Sequence, residues 1–337
     1  MNFNFTEPQT DAERHFGGFC CINATGRIET GDDAKFGEFL TKTAPPPRLT
    51  VYIHSSGGDV DAAIGIGRII RNHWFSTSVG SYILDHDEDP CQILPRKYIT
   101  GTCASAATLA YLGGRLRYLP EGSLFQVHQF SFRNPSPDDL GRSQVLSARI
   151  ASYVYDMGVS TGFLELSSAT ASTNIDAVDE ETLRTLNVVT GGVTEAEWSL
   201  QARNQIMYVR GERDSVYGHH KVMLCYVRET GFMFWAVIES QGREHELASF
   251  GLVEIVANGE ENRIDISQRC VRQVSGIYTN VLARISEEEA RIIAFSESFG
   301  VQIRFGSGSP MFLGISAVST EGGKEQLQTF FNTLCNK

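Results

Sequence analysis

The sequence predicts an α/β domain followed by a smaller, β-rich α+β domain. In the first half, short runs of β-branched and aromatic residues alternate with segments whose apolar residues recur at helical spacing. This pattern is typical of a mainly parallel sheet with helices packed on it. Beyond Gly191 the pattern changes to β-rich runs with few helices between them. With 337 residues the chain is long enough for two domains, and we place them at residues 1–192 and 193–337.

The elements of the first domain follow from periodicity and from turn residues. Pro45–Pro47 and Gly113–Gly114 mark helix ends, and Asp59 is placed to cap the helix that follows it. An irregular, acid-rich insertion is predicted at 85–97. The β-rich or apolar runs lie at 16–24, 49–54, 76–83, 115–119, 123–128 and 188–189. Helices are predicted at 31–43, after Asp59, from Ser105 to Tyr111, at 138–157 and at 179–186.

The second domain has an excess of β-rich runs. The helix at 287–297 has Ser286 as its cap, and a terminal helix is predicted at 323–332. The runs lie at 205–209, 221–228, 232–238, 252–256 and 263–266. We expect an α+β domain without internal repeats, whose role the sequence leaves open.

Composition limits the partners of the chain. The residues are 42% hydrophobic and 20% charged, which is ordinary for a globular protein, and the formal net charge is −11. A negative chain is not suited to a nucleic-acid backbone or an anionic membrane surface. No stretch has the length of a membrane span. The polar, acidic start at 1–16 does not resemble a signal peptide, so the sequence as written predicts a cytoplasmic protein, and a periplasmic one if a leader has been removed.

The seven cysteines are scattered and form no C-x-x-C pair and no zinc-ligand spacing. We expect reduced, mostly buried thiols. The alternative is a disulfide, either between Cys91 and Cys103 or between Cys225 and Cys335. We expect no metal and no cofactor.

Three short segments carry the parts of a nucleophilic serine hydrolase. Ser105 lies in a turn of small residues, and His128 ends an apolar run 23 residues later. Serine needs a base to become a nucleophile, and histidine suits that work near neutral pH. Gly57 and Gly58 follow a predicted strand, where a bare backbone can present N–H groups to an oxyanion. Ala106, directly after Ser105, is placed to give a second N–H donor.

In order and spacing, these segments resemble the Clp protease proteolytic subunit family. The motifs are SSGGD at 55–59, ASA at 104–106, LGG at 112–114 and VHQ at 127–129, and the resemblance covers residues 16–190. It is strongest to a bacterial branch often described as periplasmic. The resemblance implies the crotonase-type ββα spiral fold, a nucleophile at Ser105, a base at His128 and an oxyanion hole at Gly58 and Ala106. It also implies that Gly57–Gly58 begins the edge that pairs with an extended peptide.

The third member of the family's catalytic triad is missing from its expected place. The family's aspartate falls near Ala171 or Ser172, and neither is acidic. Asp176 is the nearest acid and serves only if the loop is shifted, while Asp179 caps a helix. Thr170, Ser172 or Asn174 are the other groups that the sequence offers to the histidine.

Three functions therefore stay open. The first is a serine peptidase that forms an acyl-enzyme on Ser105. The second is a non-catalytic protein that binds peptides or serves in assembly, and the third is a crotonase-type enzyme acting on an acyl thioester. The family forms rings, so we expect a homo-oligomer acting on peptides or proteins, and whether an unfoldase delivers substrates is left open.

Other clusters favour structural roles. The acids around His86 (Asp85, Asp87, Glu88 and Asp89) fit no cation-binding loop. The adjacent His219 and His220 would point to opposite faces of a strand. Cys103 is the weaker candidate for the nucleophile, because Ser105 holds the family's position.

Overall fold

The computed structural model of the chain describes residues 1–16, 20–84, 93–130, 139–171, 173–259 and 261–335. The chain divides into two units, Met1–Gly192 and Val193–Lys337. Both units combine helices with sheets, in agreement with an α/β class. The predicted acid cluster at 85–89, together with Cys91 and Ser172, lies outside the described residues.

In the described part of the first unit there are ten strands and seven helices. The strands are β1 (Asn2–Thr6), β2 (Cys21–Thr25), β3 (Thr50–His54), β4 (Ser76–Val79), β5 (Ser81–Leu84), β6 (Arg96–Ile99), β7 (Thr102–Ala104), β8 (Arg117–Tyr118), β9 (Leu124–Val127) and β10 (Asp176–Ala177). The helices are α1 (Asp11–Phe16), α2 (Asp32–Thr43), α3 (Val60–Asn72), α4 (Ala107–Leu112), α5 (Asp139–Asp156), α6 (Gly162–Ala169) and α7 (Glu180–Thr185).

A mainly parallel sheet forms the centre of this unit. Its strand order is β1-β2-β3-β4-β8, in which only β1 runs antiparallel to its neighbour. A three-stranded sheet has the order β10-β9-β7, with β7 parallel to β9. The single run expected at 76–83 is two strands, because Gly80 has a φ of 121° and breaks the extended chain. Strands β5 and β6 then pair with each other.

Helix α3 confirms the element expected after Asp59. Asp59 Oδ1 accepts the N–H of Ala62 at 2.9 Å, which satisfies one of the free donors at the start of the helix. Ala62, Ile66 and Ile70 are buried in the hydrophobic core of this unit. Because its cap and its apolar face are both fixed, the helix holds the preceding Gly57–Gly58 turn in place.

A buried ion pair joins α1 to the first residue of β6. Arg96 Nη1 lies 2.6 Å from Glu13 Oε1, and both side chains are almost fully buried. The N–H groups of Gln9 and Leu94 also donate to the Glu13 carboxylate. The hydrogen bond from Arg96 lowers the pKa of Glu13 to about 2, in spite of burial, which acts in the opposite direction.

Because of this ion pair, the stability of the protein should vary with pH in the acid range. Because the pKa of Glu13 is lower in the folded chain than the usual value of about 4.3, its stabilisation is complete above that value and is lost as the pH falls toward 2. In urea unfolding between pH 5 and pH 2.5, the wild type should lose more free energy of unfolding than Glu13→Gln does. Parallel curves for the two proteins would contradict this expectation.

The second unit is built from two antiparallel sheets. Its strands are β11 (Glu197–Arg203), β12 (Ile206–Ser215), β13 (Gly218–Val227), β14 (Gly231–Glu239), β15 (Leu252–Ala257), β16 (Asn262–Asp265), β17 (Cys270–Ser275), β18 (Tyr278–Arg284), β19 (Ser298–Arg304) and β20 (Leu313–Ser319). Its helices are α8 (Glu244–Ser249), α9 (Glu287–Phe295) and α10 (Lys324–Cys335). The strand orders are β11-β12-β13-β14-β18-β17 and β16-β15-β19-β20.

Five of these strands, β11 and β17–β20, were not predicted from the sequence. Glycine interrupts two of them: Gly300 lies where the β19–β20 register shifts between Phe299 and Val301, and Gly314 has a φ of 113°. The capping prediction at Ser286 is confirmed, since its hydroxyl and the Glu289 carboxylate form a capping box.

The adjacent histidines of the second unit have structural partners. His219 lies between two carboxylates, with Nδ1 3.1 Å from Asp214 and Nε2 3.5 Å from Glu212. Burial alone would lower the pKa of His219, but the two carboxylates outweigh it and raise the pKa. The hydrogen bond from His219, with help from Lys221, lowers the pKa of Glu212 to about 2. Among the described residues, no group of three or more histidine, cysteine or acidic side chains is arranged to hold a metal ion.

Two further expectations concern a disulfide bond and a membrane-spanning segment. Cys103, Cys225 and Cys335 are free, so the alternative of a disulfide between Cys225 and Cys335 is wrong. In the ranges that the structure describes, no helix combines the length and the apolar character needed to cross a membrane.

Candidate active site

The three segments singled out in the sequence meet because the strands that precede them are neighbours. Strand β7 leads into Ser105 and runs parallel to β9, which leads into His128, with Ala104 opposite Gln126. Ser55, directly after β3, forms a parallel bridge with Cys103 of β7. The ends of adjacent parallel strands lie at one edge, which is where ligands bind in open α/β sheets.

Ser105 occupies a strained turn. Its φ is 55°, in the left-handed region that costs a non-glycine residue about 1–2 kcal/mol. The turn is held by the Ser105 N–H, which donates to the carbonyl of Gln126 at 3.0 Å. Ser105 is half-buried, and α4 begins two residues later. The turn therefore presents the hydroxyl-bearing side chain at the wall of a cavity.

That cavity has a volume of about 140 Å³ and also reaches His128. Its wall is largely apolar, with Leu109, Ile150 and Phe163 among the lining residues, and α5 and α6 contribute serines. Sequence reasoning did not identify these lining residues, because they come from three helices that only the tertiary fold brings together.

No orienting partner of His128 is found in the part of the chain that the structure describes. Its Nδ1 atom is buried and has no hydrogen-bond partner among the described residues. Within the same part of the chain, no hydrogen bond joins Ser105 to His128, although both line the cavity. The structure thus brings the two side chains to one cavity without showing a formed catalytic pair.

Asp176 is not placed against His128. Its carboxylate accepts the hydroxyl of Thr170 at 2.7 Å, and the side chain is otherwise exposed. In the β9–β10 pair, Asp176 lies opposite Val127, so the residue next in register with His128 is Ile175. Opposed residues share a face of the sheet, so register directs the Asp176 side chain away from the His128 face.

Thr170 is hydrogen-bonded to the residue that follows His128. Its carbonyl accepts the N–H of Gln129 at 2.9 Å, directly after His128, while its hydroxyl binds Asp176. The sequence had included Thr170 among several alternatives, without a means of choosing between them.

The backbone donors of the predicted oxyanion hole differ in their availability. The N–H of Gly57 donates to Ser55 Oγ at 3.1 Å and is therefore already engaged. The N–H groups of Gly58 and Ala106 have no partner among the residues that the structure describes. Two of the three predicted donors are thus available.

Gly57 lies directly against the turn at Ser105. A Cβ atom at Gly57, whose φ is 92°, would be 2.7 Å from Ser105 Cβ and 3.0 Å from the Ala106 nitrogen. Any side chain here would crowd the backbone on both sides of Ser105. The absence of a Cβ atom is what allows the two turns to approach each other.

Cys103 is unsuited to be the nucleophile. It is fully buried, and burial raises the pKa of its thiol well above the usual range.

No family model and no curated protein matches the chain. Among solved structures, the chain is similar to a ClpP1 mutant from Listeria monocytogenes, with 16% sequence identity and a TM-score of 0.35. The matched region covers 50% of this chain and 88% of that chain. This similarity is too weak to place the protein in a family.

Proposed function

We propose that the first unit is a serine peptidase that cleaves peptides through an acyl-enzyme on Ser105. The observation that carries this proposal is the cavity at which Ser105, on a strained turn, meets His128 beside the free N–H of Ala106. The sequence motifs favour a Clp-type spiral fold and a homo-oligomer, which belong to the same proposal.

In the proposed reaction, Ser105 Oγ attacks the peptide carbonyl carbon and gives its proton to His128 Nε2. The carbonyl oxygen becomes an oxyanion, which accepts hydrogen bonds from the N–H groups of Gly58 and Ala106. The C–N bond then breaks, and the amine leaves with the proton from His128. Water repeats the sequence on the ester, which releases the acid and restores Ser105. The apolar wall of the cavity suits an apolar side chain of the substrate.

A second function is favoured by the state of His128. Among the described residues, no hydrogen-bond partner of Nδ1 fixes the ring in the orientation that proton transfer needs. A protein with this site that binds extended peptides without cleaving them is the alternative. It predicts peptide binding that survives Ser105→Ala and no turnover by the wild type.

Labelling with a fluorophosphonate probe tests the first function, because the probe reacts with activated serines. We expect the full chain to be labelled at Ser105, as mapped by peptide mass spectrometry, and Ser105→Ala to lose the label. Ser147→Ala is the matched control, since Ser147 lines the same cavity. Absence of label on folded wild type, or unchanged labelling of Ser105→Ala, would exclude the acyl-enzyme.

A further inference from the structure

We propose that Ser55 is a positioning residue of this site, whose hydroxyl fixes the Gly57–Gly58 turn and leaves the Gly58 N–H as the turn's donor to the oxyanion. The catalytic part of this inference rests on the proposed peptidase function. The structural part, the hold of Ser55 on the turn, does not depend on activity.

Ser55 is tied to the strand that carries the nucleophile. Its N–H donates to the carbonyl of Thr102 at 2.7 Å, and its carbonyl accepts the N–H of Ala104 at 3.0 Å. The two bonds are made to the residues on either side of Cys103, which lies two residues before Ser105. The side chain is buried, with 3% of the residue exposed. The backbone of Ser55 is therefore fixed relative to the turn at Ser105.

The Ser55 hydroxyl also controls the glycine turn. Ser55 Oγ accepts the Gly57 N–H at 3.1 Å, and the Gly57 carbonyl accepts the Ile28 N–H at 2.9 Å. Both polar backbone atoms of Gly57 are thus engaged. A short side-chain acceptor that binds a nearby N–H stabilises a turn in this way.

Ser55 therefore links the two halves of the oxyanion hole. One half is the glycine turn, and the other is Ala106, whose nitrogen would lie 3.0 Å from a Cβ atom at Gly57. Without the hydroxyl, glycine has wide freedom to rotate, and the buried Gly57 N–H loses its acceptor. An oxyanion hole acts through donors that are fixed before the reaction, so this loss reduces transition-state stabilisation.

The first test is kinetic, with Ser56→Ala as the control because Ser56 is the exposed neighbour of Ser55. We expect Ser55→Ala to lower kcat for an apolar peptide substrate by about 10- to 100-fold with little change in KM, since a donor is misplaced rather than a binding contact removed. Ser56→Ala should behave as the wild type. Equal kcat values for the two variants would overturn the catalytic role.

The second test is spectroscopic and works on an inactive protein. Labelling with ¹³C-serine and ¹⁵N-glycine selects the three Ser-Gly pairs of the chain, at 56–57, 275–276 and 307–308. We expect Ser55→Ala to shift the amide signal of Gly57 and to speed its hydrogen exchange, and to leave the other two signals unchanged. An unmoved Gly57 signal would overturn the inference. If the fluorophosphonate probe does not label the wild type but Ser55→Ala still shifts the Gly57 amide signal, the peptidase is excluded. The hold of Ser55 on the turn then remains supported.

Discussion

Replacement of His128 by alanine should lower the rate of fluorophosphonate labelling and of peptide cleavage by about 10²- to 10⁴-fold, the contribution of a general base. By contrast, Asp176→Asn should change both rates by less than about threefold, far from the roughly 10⁴-fold loss that follows removal of an orienting carboxylate. The reason is that Asp176 binds Thr170 and lies opposite Val127, and an asparagine oxygen still accepts the Thr170 hydroxyl.

The matched control is His73→Ala, which removes an exposed histidine at the end of α3. It should keep the wild-type rates. A loss with Asp176→Asn as large as that with His128→Ala would show that Asp176 leaves its place in β10 to complete a triad during the reaction. The placement of Asp176 away from His128 would then not hold during the reaction.

Gly58→Ala should destabilise the first unit more than any other single methyl addition discussed here. Gly58 has a φ of 145°, and its Cβ atom would overlap the carbonyl oxygen of Ile28 and lie 2.8 Å from its carbon. These atoms belong to the backbone of Ile28, and its carbonyl oxygen also accepts the N–H of Asp59. They therefore have little freedom to move. We expect a loss of about 3–5 kcal/mol, from backbone strain together with overpacking.

Gly26→Ala separates these two causes. Gly26 also has a positive φ, of 88°, but a Cβ atom there would have no neighbour within 4 Å. It should therefore cost only the strain, about 1–2 kcal/mol. The measurement is urea unfolding of the full chain, followed by hydrogen exchange in peptides from α3. Equal losses for the two variants would show that Gly58 does not approach Ile28 as closely as described.

Some features of the protein follow from local sequence alone. Helix α2, strand β3 and the cap of α3 were predicted to within a residue or two, because capping, proline and apolar spacing act between near neighbours. The choice of Ser105 over Cys103 came instead from the family resemblance of the motifs, and the burial of Cys103 agrees with it. The homo-oligomer, the compartment, the substrate and the function of each site residue stay predictions.

Local pattern identified the residue types of the site, and tertiary structure decided which of them meet. Asp176 was the nearest acid in the sequence, but the register of β9 and β10 sets it opposite Val127 rather than at His128. The glycine pattern alone did not separate Gly57 from Gly58 as a donor, and only the family resemblance named Gly58; in the structure, a hydrogen bond to Ser55 engages the N–H of Gly57. Register and turn geometry depend on strands that pair across long stretches of chain, and a shift of one residue reverses the face of every side chain. Periodicity within a segment does not record that choice.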